Sequence, residues 1–468
     1  MSSPPREPAG APAIYYDLTE LFHVSGSRFK FYGIARTVME VGYELARAHP
    51  HVRFVVHSPA HARFHEVTPQ LGGDSPTGVI DPGLPTAARP VKLRSYHADR
   101  GALFKRLHSL LAMGARAVNR RRWKAVDKGA ARAVDLDGQI LLTLSRPKLI
   151  ANFLHDLGGR GETPVLVPLL YDLIPLRETA DGAMPSFATK FLNDNRYVIE
   201  HAAHVLTISH ATTHDIEHFA DRGLLPRPRR LDTVQLCHEV RLAEGAANHA
   251  DDAAGYADDA AGQADDAAGH ADGAANHADP PSPVSGDFLL CVGITTGRKN
   301  LEGVLRGMLR LAHDGRPVPA LVLAGAKRKR TAKLLAEPEF DAIRDKVVFR
   351  ENPDQAALVD LYRRARAVVV ASFIEGWGLP LGEALWLGTP VLSARIAALE
   401  EVGGDLPIYF DPASIDEIAA SIDRIMDPDV AAERRERIRA ARPRLRTWAD
   451  VANDLYGHVR QLAATGGR

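Results

Sequence analysis

Residues 367–394 read AVVVASFIEGWGLPLGEALWLGTPVLSA. The opening AVVVAS is a short apolar run rich in β-branched valines, too short for a helix, and reads as a buried strand. PLGEALWLG has helical character and ends on Gly388, a residue suited to a left-handed helix stop. TPVLSA is a strand again. Strand, turn, helix and strand in such close succession imply a parallel sheet with crossover helices. The turn itself is unusual. Glu375 and Glu383 stand eight positions apart, with Gly376, Gly378, Pro380 and Gly382 between them.

The same alternation extends in both directions. Towards the N-terminus lie FLLCVG (288–293), a helical NLEGVLRGMLRLAHDG, the strands PALVLAG and KVVFREN, and a helical DQAALVDLYRRA. The first half of the chain repeats the scheme. AIYYDLTEL (13–21), VRFVVHS, QILLTL, PVLVPLLYDLIPL and HVLTIS read as strands, and residues 33–48 as a helix. The expected fold class is α/β, with two doubly wound, Rossmann-like domains facing each other across a cleft. The boundaries fall at 1–240 for the N-terminal domain, 287–445 for the C-terminal domain and 446–468 for a last helix.

Between the halves, residues 241–286 hold a seven-residue repeat, ANHADDA-AGYADDA-AGQADDA-AGHADGA-ANHADPP. It lacks large aliphatic positions, so neither a coiled coil nor a solenoid can bury a core with it. The composition reads as a disordered acidic insertion.

Composition narrows the class. A length of 468 residues with 45% apolar content supports two cored domains. The 58 basic and 58 acidic residues cancel, so no global field argues for nucleic acid. Cys237 and Cys291 share no metal-ligand spacing and fit a reducing cytoplasm. The first twenty residues lack the apolar core of a signal peptide, and no apolar run reaches bilayer length. The expected location is cytoplasmic, at most peripheral at the inner face of a membrane.

Chemistry concentrates at strand ends. In FLLCVGITTGRKN a strand ends in a glycine loop, and a helix opens near Asn300 with Arg298 and Lys299 at its start. Free amides and the macrodipole already favour anions there, so two cations call for an anion such as phosphate. An exposed basic turn is the other reading. Glu383 alone could merely serve a helix start, whereas a helix-borne carboxylate also accepts two hydrogen bonds from a diol.

RKN, EGWGLPLGEALWLGTPVL and EEVGGDLPIYFDP together resemble glycosyltransferase family 4, retaining enzymes of the GT-B fold, and YDLIPL with EGWGLPLGEAL resembles its bacterial mannosyltransferases of surface polysaccharide. GIARTVMEVGYEL, LLYDLIPL, VLTISHATTHDI and TWADVANDLY extend the resemblance over nearly the whole chain apart from its ends and the repeat. The resemblance implies transfer of a hexose, mannose from GDP-mannose first among the choices, to a glycan or lipid-linked glycan, with no cofactor and no metal. It implies that Lys299 and Arg298 hold the donor diphosphate, that Glu375 faces the transferred sugar and that Glu383 binds the ribose. Gly376, Trp377, Gly378 and Leu379 would line sugar and phosphate, Gly33 would approach the diphosphate, and Asp172 would lie near the sugar.

Two positions depart from the family pattern. Ile294 stands where many relatives have arginine, and Tyr171-Asp172 where many have His-Asp, with His155 an alternative source of the imidazole. These departures motivate a second reading, a catalytically silent GT-B scaffold of a polysaccharide-synthesis complex. The cationic segment 104–126 could rest on an anionic membrane surface or be a solvated basic helix.

Overall fold

A computed structural model describes residues 12–24, 33–75, 78–91, 102–178, 186–241, 287–293, 297–325 and 329–465, with the side chains of 102–110 and 329–330 left aside. The repeat insertion, apart from Arg241, and Ile294 lie outside the described residues.

The first half contains strands β1 (Ile14–Asp17), β2 (Arg53–Ser58), β3 (Arg63–Val67), β4 (Gln70–Leu71), β5 (Ile80–Asp81), β6 (Ala131–Ala133), β7 (Ile140–Thr143), β8 (Val165–Leu170), β9 (Val205–Thr207) and β10 (Leu231–Thr233). Eight of them form one sheet in the order β10-β9-β8-β7-β1-β2-β3-β6, while β4 and β5 make a separate ribbon. The second half contains β11 (Phe288–Val292), β12 (Ala320–Gly325), β13 (Val347–Glu351), β14 (Ala367–Val370), β15 (Val391–Ala394) and β16 (Ile408–Phe410), in the order β13-β12-β11-β14-β15-β16. Every pairing in this second sheet is parallel.

Both orders reverse direction once, between β1 and β7 in the first sheet and between β11 and β14 in the second. Open α/β sheets bind ligands outside the carboxyl ends of the strands at such switch points. The strands flanking them, β1, β7 and β14, are buried along their whole length, as two-sided cover by helices requires. Alternate residues of β1 enter different cores. Tyr16 joins a core that runs on through Leu290 to Trp448, and Tyr15 joins one with Val55, Leu141 and Leu166 on the other face.

The sequence reading needs three corrections here. AIYYDLTEL is not one strand: β1 stops at Asp17, and Thr19–Val24 is helical. The Asp17 carboxylate causes the break by accepting from Thr19 N (2.8 Å), while Thr143 Oγ1 (2.8 Å) and Ser145 Oγ (2.9 Å) tie it to the end of β7. The first sheet is also not purely parallel, since β3 runs antiparallel to both β2 and β6. Finally, PVLVPLLYDLIPL ends as the short helix Ile174–Arg177 after β8.

The two halves meet at their carboxyl edges. Ser209 Oγ donates to Gly376 O (2.7 Å), and Glu401 from the second half accepts from His210 N (2.9 Å) at the start of helix His210–Asp221. A Cβ on Gly376 would lie 2.5 Å from Tyr171 O, so only glycine permits this approach. The last helix, Trp448–Ala464, opens with a Thr447–Asp450 capping box and packs on helix Ile34–Ala48 of the first half. Trp448 is fully buried there, and His49 stacks on Tyr456 with centroids 3.8 Å apart.

Replacing Trp448 with alanine leaves a large cavity beneath that helix. Urea unfolding should show a loss of about 3–5 kcal/mol. A loss below about 1 kcal/mol would mean that the helix contributes little to holding the chain together.

Candidate active site

At the second switch point, β11 is followed by Gly293 and Gly297, both at positive φ, and by Asn300 at φ 54. Asn300 caps helix Leu301–His313, its side chain accepting from Gly303 N (3.1 Å) and donating to Pro412 O (2.7 Å). That left-handed cap turns Lys299 and Arg298 towards the loop after β14. Lys299 Nζ lies 2.5 Å from Glu375 Oε1, and Arg298 Nη1 lies 3.2 Å from both Glu375 Oε2 and Ile374 O. Ser372 Oγ adds a donor to Glu375 Oε1 at 2.7 Å. Here the anion demanded by two cations at a helix start is the carboxylate of Glu375. Burial alone would push that carboxyl up; Lys299 and Arg298, with the bonds from Lys299 and Ser372, override it and hold it below its ordinary value. Two cations against one carboxylate leave the cluster net positive.

Glu383 lies in helix Leu379–Trp386 and is 6% exposed. One oxygen accepts from Tyr362 Oη (2.7 Å), and the other is paired with Arg36 Nη1 of the first half. Glu383 therefore does not present free oxygens to a diol. Arg36 stands three residues after Gly33, which opens helix Ile34–Ala48 at φ 73, and its guanidinium sits 5.8 Å from the centre of the Trp448 ring. Sequence reading missed Arg36, because nothing local marks a helix-borne arginine as the partner of an acid 347 positions away.

The glycine turn also differs from expectation. The Trp377 side chain does not line an open site. It is 3% exposed, donates to Cys237 O (3.3 Å) and meets the His238 ring edge-on, wedged against the segment that leaves the first half. Gly378, at φ 113, starts the helix where a Cβ would come within 2.4 Å of Leu399. Leu379 follows as a half-buried residue.

Asp172 adjoins Gly376, and its Oδ1 accepts from Ile174 N (3.1 Å), capping the turn. Burial raises its carboxyl, with Arg298 opposing and Glu375 reinforcing the shift, so the fold does bring Asp172 into the field of the cation cluster. Tyr171 is no stand-in for a sugar-facing histidine: its ring is buried and its hydroxyl donates to Leu144 O (2.8 Å). His155 is exposed on helix Pro147–Gly158.

The first switch point holds a cavity of about 220 Å³, with His23, His57, Arg116, Arg146, Lys148 and Asp156 in its wall. Helix Ala102–Trp123, which overlaps the cationic segment 104–126, closes one side. Arg116 reaches Asp156 (3.6 Å), Arg120 Nε donates to Ala60 O (3.3 Å) and buried Asn119 accepts from Val91 N (2.7 Å). Leu111, Met113 and Val118 remain exposed on this helix. His57 could have been noticed in the sequence as the polar residue near the carboxyl end of VRFVVHS; Asp156 directly follows His155 in the pair His155-Asp156 that the sequence reading weighed.

Residues 274–444, which contain Arg298, Lys299, Glu375 and Glu383, match the family described as Glycosyl transferases group 1. The chain is 31% identical over 142 residues to O-antigen chain mannosyltransferase B of Escherichia coli, covering 30% of this chain and 37% of that protein. It is 30% identical over 169 residues to a glycogen synthase of Mycobacterium tuberculosis, covering 35% and 40%. The match thus spans about two fifths of the length of these relatives. Among solved structures, sucrose-phosphate synthase of Thermosynechococcus elongatus superposes with a TM-score of 0.56 at 17% identity, covering 97% of this chain and 99% of that one. WaaG, a glycosyltransferase involved in lipopolysaccharide biosynthesis, gives 0.54 at 14% identity, covering 94% and 98%. The fold is therefore GT-B, two Rossmann-like halves across a cleft.

The cavity wall yields a pH prediction. His57 Nε2 lies 3.4 Å from Asp156 Oδ2. Burial, aided by His23 and His65, lowers His57 to about 3, so this contact is not an ion pair; burial raises Asp156 to about 6 against the pull of Arg116. Between pH 4 and 6 the unfolded chain carries a proton on His57, and the folded chain carries one on Asp156. The counts match, so the pair adds little slope to stability. Asp156→Asn leaves only the depressed histidine, and stability should then fall as pH drops from 6.5 towards 3 relative to wild type. His57→Asn leaves only the raised acid, and stability should fall as pH rises from 3.8 to 6. Urea midpoints across this range test the sharing of one proton; parallel changes in both variants would refute it.

Proposed function

We propose that the protein is a retaining family 4 glycosyltransferase that moves a hexose from a nucleoside-diphosphate sugar to a glycan or lipid-linked glycan of surface polysaccharide. The observation that carries this reading is the net-positive Lys299–Arg298–Glu375 cluster, held at the β11/β14 switch point inside the matched region. In this reading the donor diphosphate takes the two cations. They are preorganised by the Asn300 cap and by Glu375, so they stabilise charge on the leaving group as the glycosidic bond breaks, without reorganising. The acceptor oxygen attacks the face that the diphosphate vacates, and a phosphate oxygen takes its proton. Lys299 and Arg298 supply the positive charge, so the step needs no metal. Asp172, beside Gly376 and partly buried, faces the transferred sugar.

Mannose is the first donor choice because three of the matched relatives are named mannosyltransferases, O-antigen chain mannosyltransferase B and WbdA of Escherichia coli and MMP alpha-(1->4)-mannosyltransferase of Mycolicibacterium hassiacum. The cavity at the first switch point is the acceptor site in this reading. The exposed Leu111, Met113 and Val118, flanked by Arg121 and Lys124, would bring the enzyme to a lipid-linked acceptor on an anionic membrane face. Among the described residues no helix is long and apolar enough to cross a membrane. A second reading, a silent scaffold, draws support from Glu383, whose oxygens are both engaged.

Nucleotide release from GDP- and UDP-sugars, with and without glycan acceptors, separates the two. Turnover with one donor is expected; binding without turnover for every pair would favour the scaffold. Lys299→Ala should lower that turnover more than about tenfold, a transition-state loss above about 1.4 kcal/mol. Activity near wild type would remove Lys299 from the mechanism. Co-sedimentation with phosphatidylglycerol vesicles should fall when Leu111 and Val118 are both changed to glutamate, and unchanged sedimentation would exclude this helix as the contact.

A further inference from the structure

Far from the cleft, three metal-binding side chains converge from three elements. His204 precedes β9 at its amino end, Asp232 is in edge strand β10, and His458 comes from the returning helix Trp448–Ala464. Their ligand atoms lie within 4.8 Å of one another. His204 Nε2 is 2.8 Å and His458 Nδ1 3.9 Å from Asp232 Oδ2, and the two rings meet edge-on at 5.1 Å.

We propose that His204, Asp232 and His458 form a site for a Zn²⁺-class divalent cation that pins the C-terminal helix to the edge of the first sheet. Two imidazoles and a carboxylate are a common zinc ligand set, with water completing a tetrahedron. Bonds of about 2.1 Å place tetrahedral ligand atoms about 3.4 Å apart, a value between the two distances to Asp232. His458 Nδ1 is buried with no hydrogen-bond partner, an orphan lone pair facing the carboxylate.

One group competes. Arg230 Nε donates to Asp232 Oδ2 at 2.9 Å and its Nη2 reaches Gln461 (3.3 Å). A metal must take that oxygen from Arg230, whose half-exposed side chain can retreat to solvent. This competition gives the test its direction. The site lies at the opposite end of the strands from the candidate active site, so it is structural and acts independently of the transfer chemistry.

The experiment titrates the full-length, chelator-treated protein with Zn²⁺ alone, by calorimetry and by the shift in thermal midpoint. His458→Ala should weaken the site at least tenfold and abolish the shift, while its metal-free melt and circular dichroism match the wild type. Arg230→Gln, which removes the competing cation, should bind Zn²⁺ more tightly than wild type. His249, His270 and His277 in the repeat can take up zinc, so the difference between wild type and His458→Ala is the deciding quantity. Equal zinc binding by those two proteins would overturn the proposal. So would weaker binding by Arg230→Gln, or a wild type that takes up no zinc.

Discussion

A buried carboxylate must have cationic or hydrogen-bonding partners, and two such carboxylates organise this molecule. Removing a partner from a buried ion pair typically costs about 3–5 kcal/mol, because the remaining charge is left without solvent. Glu375 finds Lys299, Arg298 and Ser372 within its own half. Glu383 finds Tyr362 there too, but its charge partner, Arg36, comes across the cleft. The first arrangement concentrates positive charge at the switch point. The second ties the relative position of the halves to a single side chain of that helix.

The contacts around these acids are of a kind that reinforces the tie. Gly376 lets backbone meet backbone at Tyr171, Ser209 bonds the carbonyl of the same glycine, and Glu401 caps a helix of the opposite half. Trp377 fills the space against Cys237 and His238, where the chain leaves the first half. The turn that joins β14 to its helix is thus the hinge pin of the junction as well as the wall of the candidate site. Any substitution there acts on domain packing and on ligand contact together.

Local chemistry made much of this legible in the sequence. The apolar valine run, Gly388 at the helix stop, Asn300 at the helix start and the eight-residue spacing of the two acids all depend on neighbours a few positions away, and each sits where the pattern placed it. The misreadings are non-local. The resemblance makes Trp377 part of a ligand wall, yet its side chain is buried against Cys237, 140 positions distant. AIYYDLTEL looked like one strand because its apolar pattern continues past Asp17, and only the hydroxyls of Thr143 and Ser145, brought by β7, reveal why the chain turns there. The cavity of the first half is assembled from the end of β2 and three helices that are distant in sequence, and no window of sequence contains it.

The pairing of Glu383 with Arg36 sets a physical condition on any sugar nucleotide that uses this acid. A diol offers two neutral hydrogen bonds, whereas Arg36 offers a full charge, so the exchange is unfavourable unless Arg36 gains another anion. The first turn of its helix has no acidic residue, and Glu40 one turn further on, though in the field of Arg36, is bonded to Arg241. In the proposed function, a diphosphate entering beside Gly33 would supply such an anion and release Glu383 to a ribose in the same event. If the proposed function holds, the ribose and the diphosphate of a donor would bind jointly, and a nucleoside without phosphates would leave the Glu383–Arg36 pair closed.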